Sequence, residues 1–565
     1  MKFLSRLLAA MLLWILIACN NNTGKQKNAH PVAEDIQLEQ LKAPPSPLNY
    51  KRENEAEMKK FTPPVIVKDQ TIIEDSKGSA DVGIVAPADK AFNTEDYDHI
   101  IENKFLASVQ NSLSTFSIDV DEASYSNVRR YLNEGSLPPA GAVRIEEMVN
   151  YFDYSYPQPA GTDPFSVNTE IAACPWNDQH RLIHIGLQGK EIAQDKLPAS
   201  NLVFLIDVSG SMDEPNKLPL VQSSLKMLTN QLRENDRVAI VVYAGNAGLV
   251  LPSTNGSNKT KIKEAIDDLR AGGSTAGGAG IQLAYKIAQQ NFITGGNNRI
   301  ILATDGDFNV GASSDDELVQ MVEKERKSGV FLSVLGFGMG NYKDNKMQQL
   351  ADKGNGNHSY IDNINEARKV LVNEFGSTLF TIAKDVKIQV EFNPAAVQAY
   401  RLIGYENRLM ANEDFNNDVK DAGELGSGHT VTALYEIIPA GVKDDFTQSV
   451  DPLKYQSNDK KITNGNSNEI MTIKLRYKKP DDSTSMLIVH TVNDSKTELV
   501  NTSDNFRFAA AVAEFGMLLR SSAFKQESSY LQVINLAKSA KGKDENGYRA
   551  EFINLVQAAT SLVKK

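Results

Sequence analysis

Cysteine is nearly absent: 565 residues hold two, Cys19 and Cys174. That leaves no Cys-x-x-Cys redox or zinc pair. Aromatic residues make up 7% of the chain, with two tryptophans. There is no Gly-x-x-x-x-Gly-Lys-Ser/Thr loop, no His-Glu-x-x-His and no Gly-x-Ser-x-Gly. A phosphate-cradling P-loop, a zincin helix and a hydrolase elbow are thereby excluded. Positive charge is in deficit, 60 Lys and Arg against 71 Asp and Glu, a net −11. An acidic balance argues against nucleic acid and gives no attraction to an anionic membrane surface.

The N-terminus is where the text is densest. Lys2 and Arg6 precede a twelve-residue apolar run ending at Ala18. A basic start and a short apolar stretch form a secretory signal, too short to span a membrane comfortably. Leu16-Ile17-Ala18-Cys19 resembles the bacterial lipobox, in which the cysteine is acylated and becomes the new N-terminus. Residues 1–18 are then a lipoprotein signal, and Cys19 is the lipidation site. The implied location is the cell envelope of a Gram-negative-type bacterium, membrane-anchored and facing the periplasm or the surface. With Cys19 acylated, Cys174 has no intrachain partner and reads as a small buried hydrophobe.

Residues 19–95 are rich in Lys, Glu, Asn and Pro and read as a disordered tether, with Val65-Ile66-Val67 able to form a short strand. Residues 96–160 read as a small helical module. One helix follows Asp121 as N-cap, and a second runs from Arg144 to Phe152. The aromatic run Tyr151 to Tyr156 reads as core. Residues 161–199 alternate as strands of a flanking sandwich. His180 and His184 lie there, about 13 Å apart at four strand positions, too far for one ion.

Between 200 and 380 the pattern becomes strand–helix alternation. Leu202–Ile206, Val238–Tyr243, 300–303 and 330–335 are apolar runs separated by helical stretches at about 218–232, 260–270, 279–292, 315–327, 344–353 and 364–378. Apolar strands with helices between them make a doubly wound α/β domain with a mostly parallel sheet. Residues 381–503 return to polar-and-apolar alternation, and 504–565 are helical, with Phe508, Val512, Phe515 and Leu519 on one face. Strands before and after the α/β domain would join in one sandwich. The fold class is an α/β domain inserted in a β-rich, partly helical frame.

Three loops carry the chemistry. The first apolar strand ends in Asp207-Val208-Ser209-Gly210-Ser211. A Gly-rich loop offers Ser274 and Thr275. The strand at 300–303 leads to Thr304-Asp305-Gly306. Ligands of open parallel sheets bind beyond the strands' carboxyl ends. Two carboxylates meeting there need a proton or a cation between them. Carboxylates and hydroxyls are hard oxygen donors suited to Mg²⁺, with Mn²⁺ or Ca²⁺ as alternatives. Neutral hydroxyl ligands leave metal charge uncompensated, which favours a carboxylate from outside.

Asp-x-Ser-x-Ser, a Thr in a later Gly-rich loop and Thr-Asp-Gly resemble the metal-ion-dependent adhesion site of von Willebrand factor type A domains. Asp207, Ser209, Ser211, Thr275 and Asp305 match its positions. More widely, the chain resembles bacterial lipoproteins with this domain at their centre, through Phe116–Asp121, Val143–Met148 and Asn412 onward. The resemblance implies that the serines and the threonine reach the metal through their hydroxyls, with one or both aspartates acting through water. The hydroxyl-rich donors and the absence of catalytic companions point to binding rather than catalysis: a partner protein offering an Asp or Glu carboxylate, with the membrane reached through the lipid anchor and no nucleic acid. The alternatives are a metal that only stabilises a scaffold, or a metal-assisted hydrolase. The sequence does not set the oligomeric state. Asp414 to Glu424 begins like a calcium loop but has Val419 where an EF-hand needs Gly and Leu425 where it needs Glu, so it reads as a solvated turn. Ser223-Ser224-Leu225-Lys226 reads as helix surface.

Overall fold

A computed structural model describes residues 95, 97–273, 277–306, 315–340, 342–374, 380–447, 468–480 and 482–563. The signal, Cys19, the tether and the short strand at 65–67 lie outside the described residues. Along the chain come β1 (Leu106–Ala107), β2 (Leu113–Ser117), α1 (Ala123–Asn133), α2 (Ile145–Asn150), β3 (Phe165–Cys174) and β4 (Asn177–Gly189). Then follow β5 (Ser200–Asp207), α3 (Leu218–Gln231), β6 (Arg237–Tyr243), β7 (Ala247–Asn255), α4 (Lys259–Asp267), α5 (Gly277–Gln290), β8 (Asn297–Thr304), α6 (Asp315–Glu325), β9 (Phe331–Phe337), α7 (Asp344–Lys353), β10 (His358–Ile361) and α8 (Ile364–Arg368). The last third holds β11 (Thr381–Phe392), β12 (Val397–Ile403), β13 (Gly423–Gly426), β14 (Thr430–Pro439), β15 (Glu469–Lys478), β16 (Met486–Asn493), α9 (Asp504–Arg520), α10 (Tyr530–Ser539) and α11 (Tyr548–Val563).

The central sheet has the order β10-β9-β8-β5-β6-β7 and is parallel except for β7. Strand β5 is buried from end to end because both faces are covered. Leu202, Phe204 and Ile206 face the core built with α3, α4 and α8. Val203 and Leu205 face the core built with α5, α6 and α7. That two-sided cover explains why the strand reads as a continuous apolar run. The antiparallel edge strand β7 was not expected. Its residues carry exposed Leu249 and Val250 beside Pro252, an edge composition without a buried period.

Strands from both sides of the α/β domain share two antiparallel sheets. One runs β1-β12-β14-β4-β3, the other β13-β11-β15-β16 with β2 on β11. A single core joins them, with Ile183, Ile185, Val431 and Tyr435 on one side and Phe116, Val386, Ile388 and Leu475 on the other. The first sheet is buried on its second face too. There Leu182, Leu434 and Ala172 pack with α1, α2, α9, α10 and α11. Residues 96–160 are therefore not a separate helical module. They supply β1 and β2 to the two sheets, and their helices share one core with the C-terminal helices. Leu113–Ser117 hid this because three of its five residues are Ser or Thr.

Tyr151, Phe152, Tyr154 and Tyr156 are all buried in that core, as their clustering suggested. Asp121 does not cap α1. The N-cap is Glu122, without a side-chain cap bond. The Asp121 carboxylate instead accepts from the His358 backbone N–H at 2.8 Å, Gln348 at 3.0 Å and Arg408 at 3.0 Å. It joins the frame to the α/β domain. No described helix is long and apolar enough to cross a membrane.

Candidate metal centre

Chain order reverses between β8 and β5: from β5 the chain proceeds to β6 and β7 on one side, then returns to β8 and β9 on the other. Asp207 ends β5 and Asp305 follows β8, so both carboxylates stand at the switch point where α/β sheets bind ligands. Both are fully buried. The loop after Asp207 is pinned by backbone bonds: Val208 N–H to Tyr243 at 3.0 Å, Gly210 N–H to Gly273 at 3.0 Å, and Gly272 N–H to Val208 at 2.8 Å. Met212 is buried beneath it and anchors the turn. The Ser209 N–H donates to the Asp207 carboxylate at 2.9 Å, and the Ser209 and Ser211 hydroxyls lie 3.1 Å apart. Ser209 is buried, while Gly210 and Ser211 are exposed. The donors therefore converge on a mouth that opens to solvent.

Burial pushes the Asp207 carboxyl up to about 6, and repulsion from Asp305 adds to it; hydrogen bonds from Ser209 and from the Tyr243 hydroxyl pull the other way. Thr304 donates to Asp207 at 3.3 Å, and its hydroxyl accepts the Gly306 N–H at 3.2 Å. Gly306 has a φ of +90°, and a Cβ there would meet the Lys343 backbone nitrogen at 2.7 Å. The Thr-Asp-Gly glycine is thus fixed by conformation and by space. Thr275 lies outside the described residues.

Sequence reading missed one charged residue here, Lys217. It is buried, and its ammonium donates to Asp305 at 3.1 Å. It occupies the N-cap of α3, with no side-chain cap bond and a proline in the first turn. Helix starts prefer Ser, Thr, Asp or Asn and disfavour cations. A lysine directly before Leu218-Pro219 was the signal that could have found it.

Other candidates resolve separately. His184 bonds to the Tyr156 hydroxyl at 2.9 Å, while His180 bridges Glu436 at 2.6 Å and Asp444 at 2.8 Å. In the loop from 414 to 424, Asp418 accepts from Ser485 and Asp421 pairs with Arg326. Ser223 and Ser224 donate to carbonyls of their own helix. Cys174 is a buried free thiol that burial pushes up. Among the described residues, no three His, Cys, Asp or Glu side chains gather as a metal-holding group. The switch-point set is of another kind, two carboxylates and two hydroxyls. These hard oxygens fit a hard divalent cation and do not fit a soft one.

Comparison with known proteins agrees with this architecture. The model of the von Willebrand factor type A domain matches residues 201–373, and the chain is a protein of that class. The flanks match as well: "von Willebrand factor" over 91–184 and "Uncharacterized protein YfbK, C-terminal" over 377–562. The chain belongs to the YfbK family. It is 48% identical over 474 residues to uncharacterized protein YfbK of Escherichia coli (strain K12), covering 82% of this chain and 81% of that one. It is also 29% identical over 190 residues to uncharacterized protein sll0103 of a Synechocystis strain, covering 33% of this chain and 43% of that one. A solved von Willebrand factor type A protein from Catenulispora acidiphila is similar at 16% identity and a TM-score of 0.37, covering 69% of this chain and 90% of that one.

Proposed function

We propose that the switch-point site holds one divalent cation, Mg²⁺ by first choice, and that the protein uses it to bind an acidic group of a partner protein. The observation that carries this is the pair of buried carboxylates at adjacent strand ends, with two serine hydroxyls converging on the open side. Asp207, Ser209, Ser211 and Asp305 would hold the ion. Bound there, it supplies Lewis acidity to an incoming oxygen ligand. The chain's own part is to keep the loop rigid through the Val208, Gly210 and Gly272 backbone bonds and to bury two negative charges that attract a cation. Among the described residues of these loops no His or Cys accompanies the donors, which supports binding over turnover.

Anchoring to the envelope through Cys19 belongs to the same reading. A lipid anchor with a long polar stretch after it suits a protein that reaches for partners. Capture of envelope proteins by the immobilised chain, with Mg²⁺ and with chelator, tests the proposal. Capture should be lost on chelation and in Asp207→Ala. Capture that is indifferent to both contradicts it. Cys19→Ala should move the protein out of the membrane fraction, and unchanged fractionation contradicts the anchor.

A further inference from the structure

The segment after β14 folds back over the helix-packed face of its own sheet. Gly441, with a φ of +85°, turns the chain. Asp444 then closes a local turn of the kind aspartate favours, its carboxylate accepting the Phe446 N–H at 2.7 Å. The turn seats the Phe446 ring beside Phe105 and Phe524, with centroids 5.1 Å and 5.4 Å away. Gln398 of β12 donates to the Thr447 hydroxyl at 2.9 Å. Residues 440–447 thus form a strap over an aromatic cluster that also holds the Arg401 guanidinium, 4.4 Å from the centre of the Phe524 ring.

His180 of β4 is buried beneath the strap. Its Nδ1 lies 2.6 Å from a Glu436 oxygen on β14, and its Nε2 lies 2.8 Å from an Asp444 oxygen. An ionised carboxylate only accepts hydrogen bonds, and a neutral imidazole has one N–H to give. Both contacts are hydrogen bonds only while the ring carries two protons. Burial opposes that charge, but Glu436 and Asp444 outweigh it and hold the imidazole above its usual range. Other groups face this pairing. Arg401 of β12 and Gln526, ahead of α10, both donate to Glu436 at 2.8 Å. Cys174 of β3 keeps its proton, because burial pushes the thiol up. Lys443 and Asp445 flank Asp444 and are exposed.

We propose that His180 is a pH-sensitive latch: its imidazolium shuts the strap by bonding Glu436 and Asp444 together, and loss of one proton frees Asp444 and the turn it holds. The remaining N–H stays with Glu436, which is shut off from solvent. Asp444, whose side chain is 12% exposed, then faces an imidazole lone pair and turns to water. The bond pair is complete below the ordinary imidazole value and is lost as pH rises through the raised one. Opening uncovers Phe105, Phe446 and Phe524 as an aromatic patch on this face. The inference stands apart from the metal reading, since no group of the switch-point site takes part.

Hydrogen exchange of the purified full chain tests it, read in the peptide over 440–447 and corrected at each pH for intrinsic exchange. From about pH 6 to about pH 10, protection there should fall by about tenfold or more relative to peptides of β4 and β12. In Asp444→Asn the amide can accept from the Phe446 N–H and donate to the neutral ring. The strap should then stay shut, and the relative fall should shrink below about twofold. The ring ¹⁵N shifts of His180 should move in step with strap opening, and at lower pH in Asp444→Asn. Strap protection that is flat with pH in the unmodified chain overturns the latch. So does an equal fall in Asp444→Asn, or a His180 ring that titrates at or below about 6.5.

Discussion

Two of the clusters of buried carboxylates among the described residues are built differently. The first is the seam between the α/β domain and the frame. There Arg129 pairs with Asp362 and with Glu366 at 2.7 Å, Arg408 with Asp119 at 2.7 Å and Asp352 at 2.7 Å, and Lys369 with Glu122. Helix α1 covers the edge strand β10 along this seam. The second is the crown of the sheet, where Lys217 pairs with Asp305, and Asp207 accepts from Ser209 and Thr304 beside the exposed Gly210 and Ser211. In the seam, arginines and backbone N–H groups are spent on closing the negative charges in. At the crown, one lysine and neutral N–H and hydroxyl donors meet the carboxylates, and exposed Gly210 and Ser211 give solvent access. Burial closed in by guanidinium groups suits a joint, and burial beside exposed hydroxyls suits the proposed binding site.

Breaking the seam should have the largest effect. Arg129→Met leaves Asp362 and Glu366 without their guanidinium and should destabilise by about 3–5 kcal/mol. Chemical denaturation checks this, and the midpoint shift should be the same with and without Mg²⁺. A Mg²⁺-dependent loss would erase the distinction between the two clusters.

The seam also carries a pH signature. Burial pushes the Glu147 carboxyl up to about 8, with Asp121 and Asp344 adding and Arg144 opposing. Arg144 pairs with Asp344, whose carboxyl it holds below the usual range. A carboxyl raised on folding gives stability that is full below about 4.5 and is lost as pH rises to about 8. Glu147→Gln removes that loss. Its stability relative to the unmodified chain should rise by about 2–4 kcal/mol between pH 5 and pH 8. A pH-independent difference in denaturation midpoints contradicts it.

Crown substitutions should behave in the opposite way. Asp207→Asn removes one of two repelling charges and can keep the bond from the Ser209 N–H. The metal-free protein should gain about 1 kcal/mol while losing its Mg²⁺-induced melting shift. Loss of stability without metal would place the crown with the seam. Ser209→Ala should change stability least, within about 1 kcal/mol. Its Mn²⁺ affinity should fall by about tenfold or more, on the scale of losing a partner around a metal. Calorimetry reads both quantities apart, and unchanged Mn²⁺ affinity would remove Ser209 from the donor set.

The α/β domain was legible because two covered faces write themselves as apolar strands, as in Leu202–Ile206. The frame was legible only in part. Strands such as Leu113–Ser117 carry their meaning in pairing with β11, which no local pattern records. Gly423–Gly426 is too short to show a period. Asp121 looked like a cap because local sequence cannot reveal that its carboxylate is claimed by Arg408, far along the chain. At the crown, the placement of Asp207 and Asp305 at neighbouring strand ends was legible from the apolar runs that precede them. Lys217 was marked only by its unusual place before Leu218-Pro219, and its pairing with Asp305 is a long-range contact that no local pattern records.

The central claim is that the crown holds a divalent ion. Anomalous diffraction from crystals of the protein grown with Mn²⁺ tests it most directly. The account predicts one strong peak within bonding distance of the Ser209 and Ser211 hydroxyls, between the carboxylates of Asp207 and Asp305. A map with no peak there, or with its strongest peak elsewhere on the chain, would contradict it.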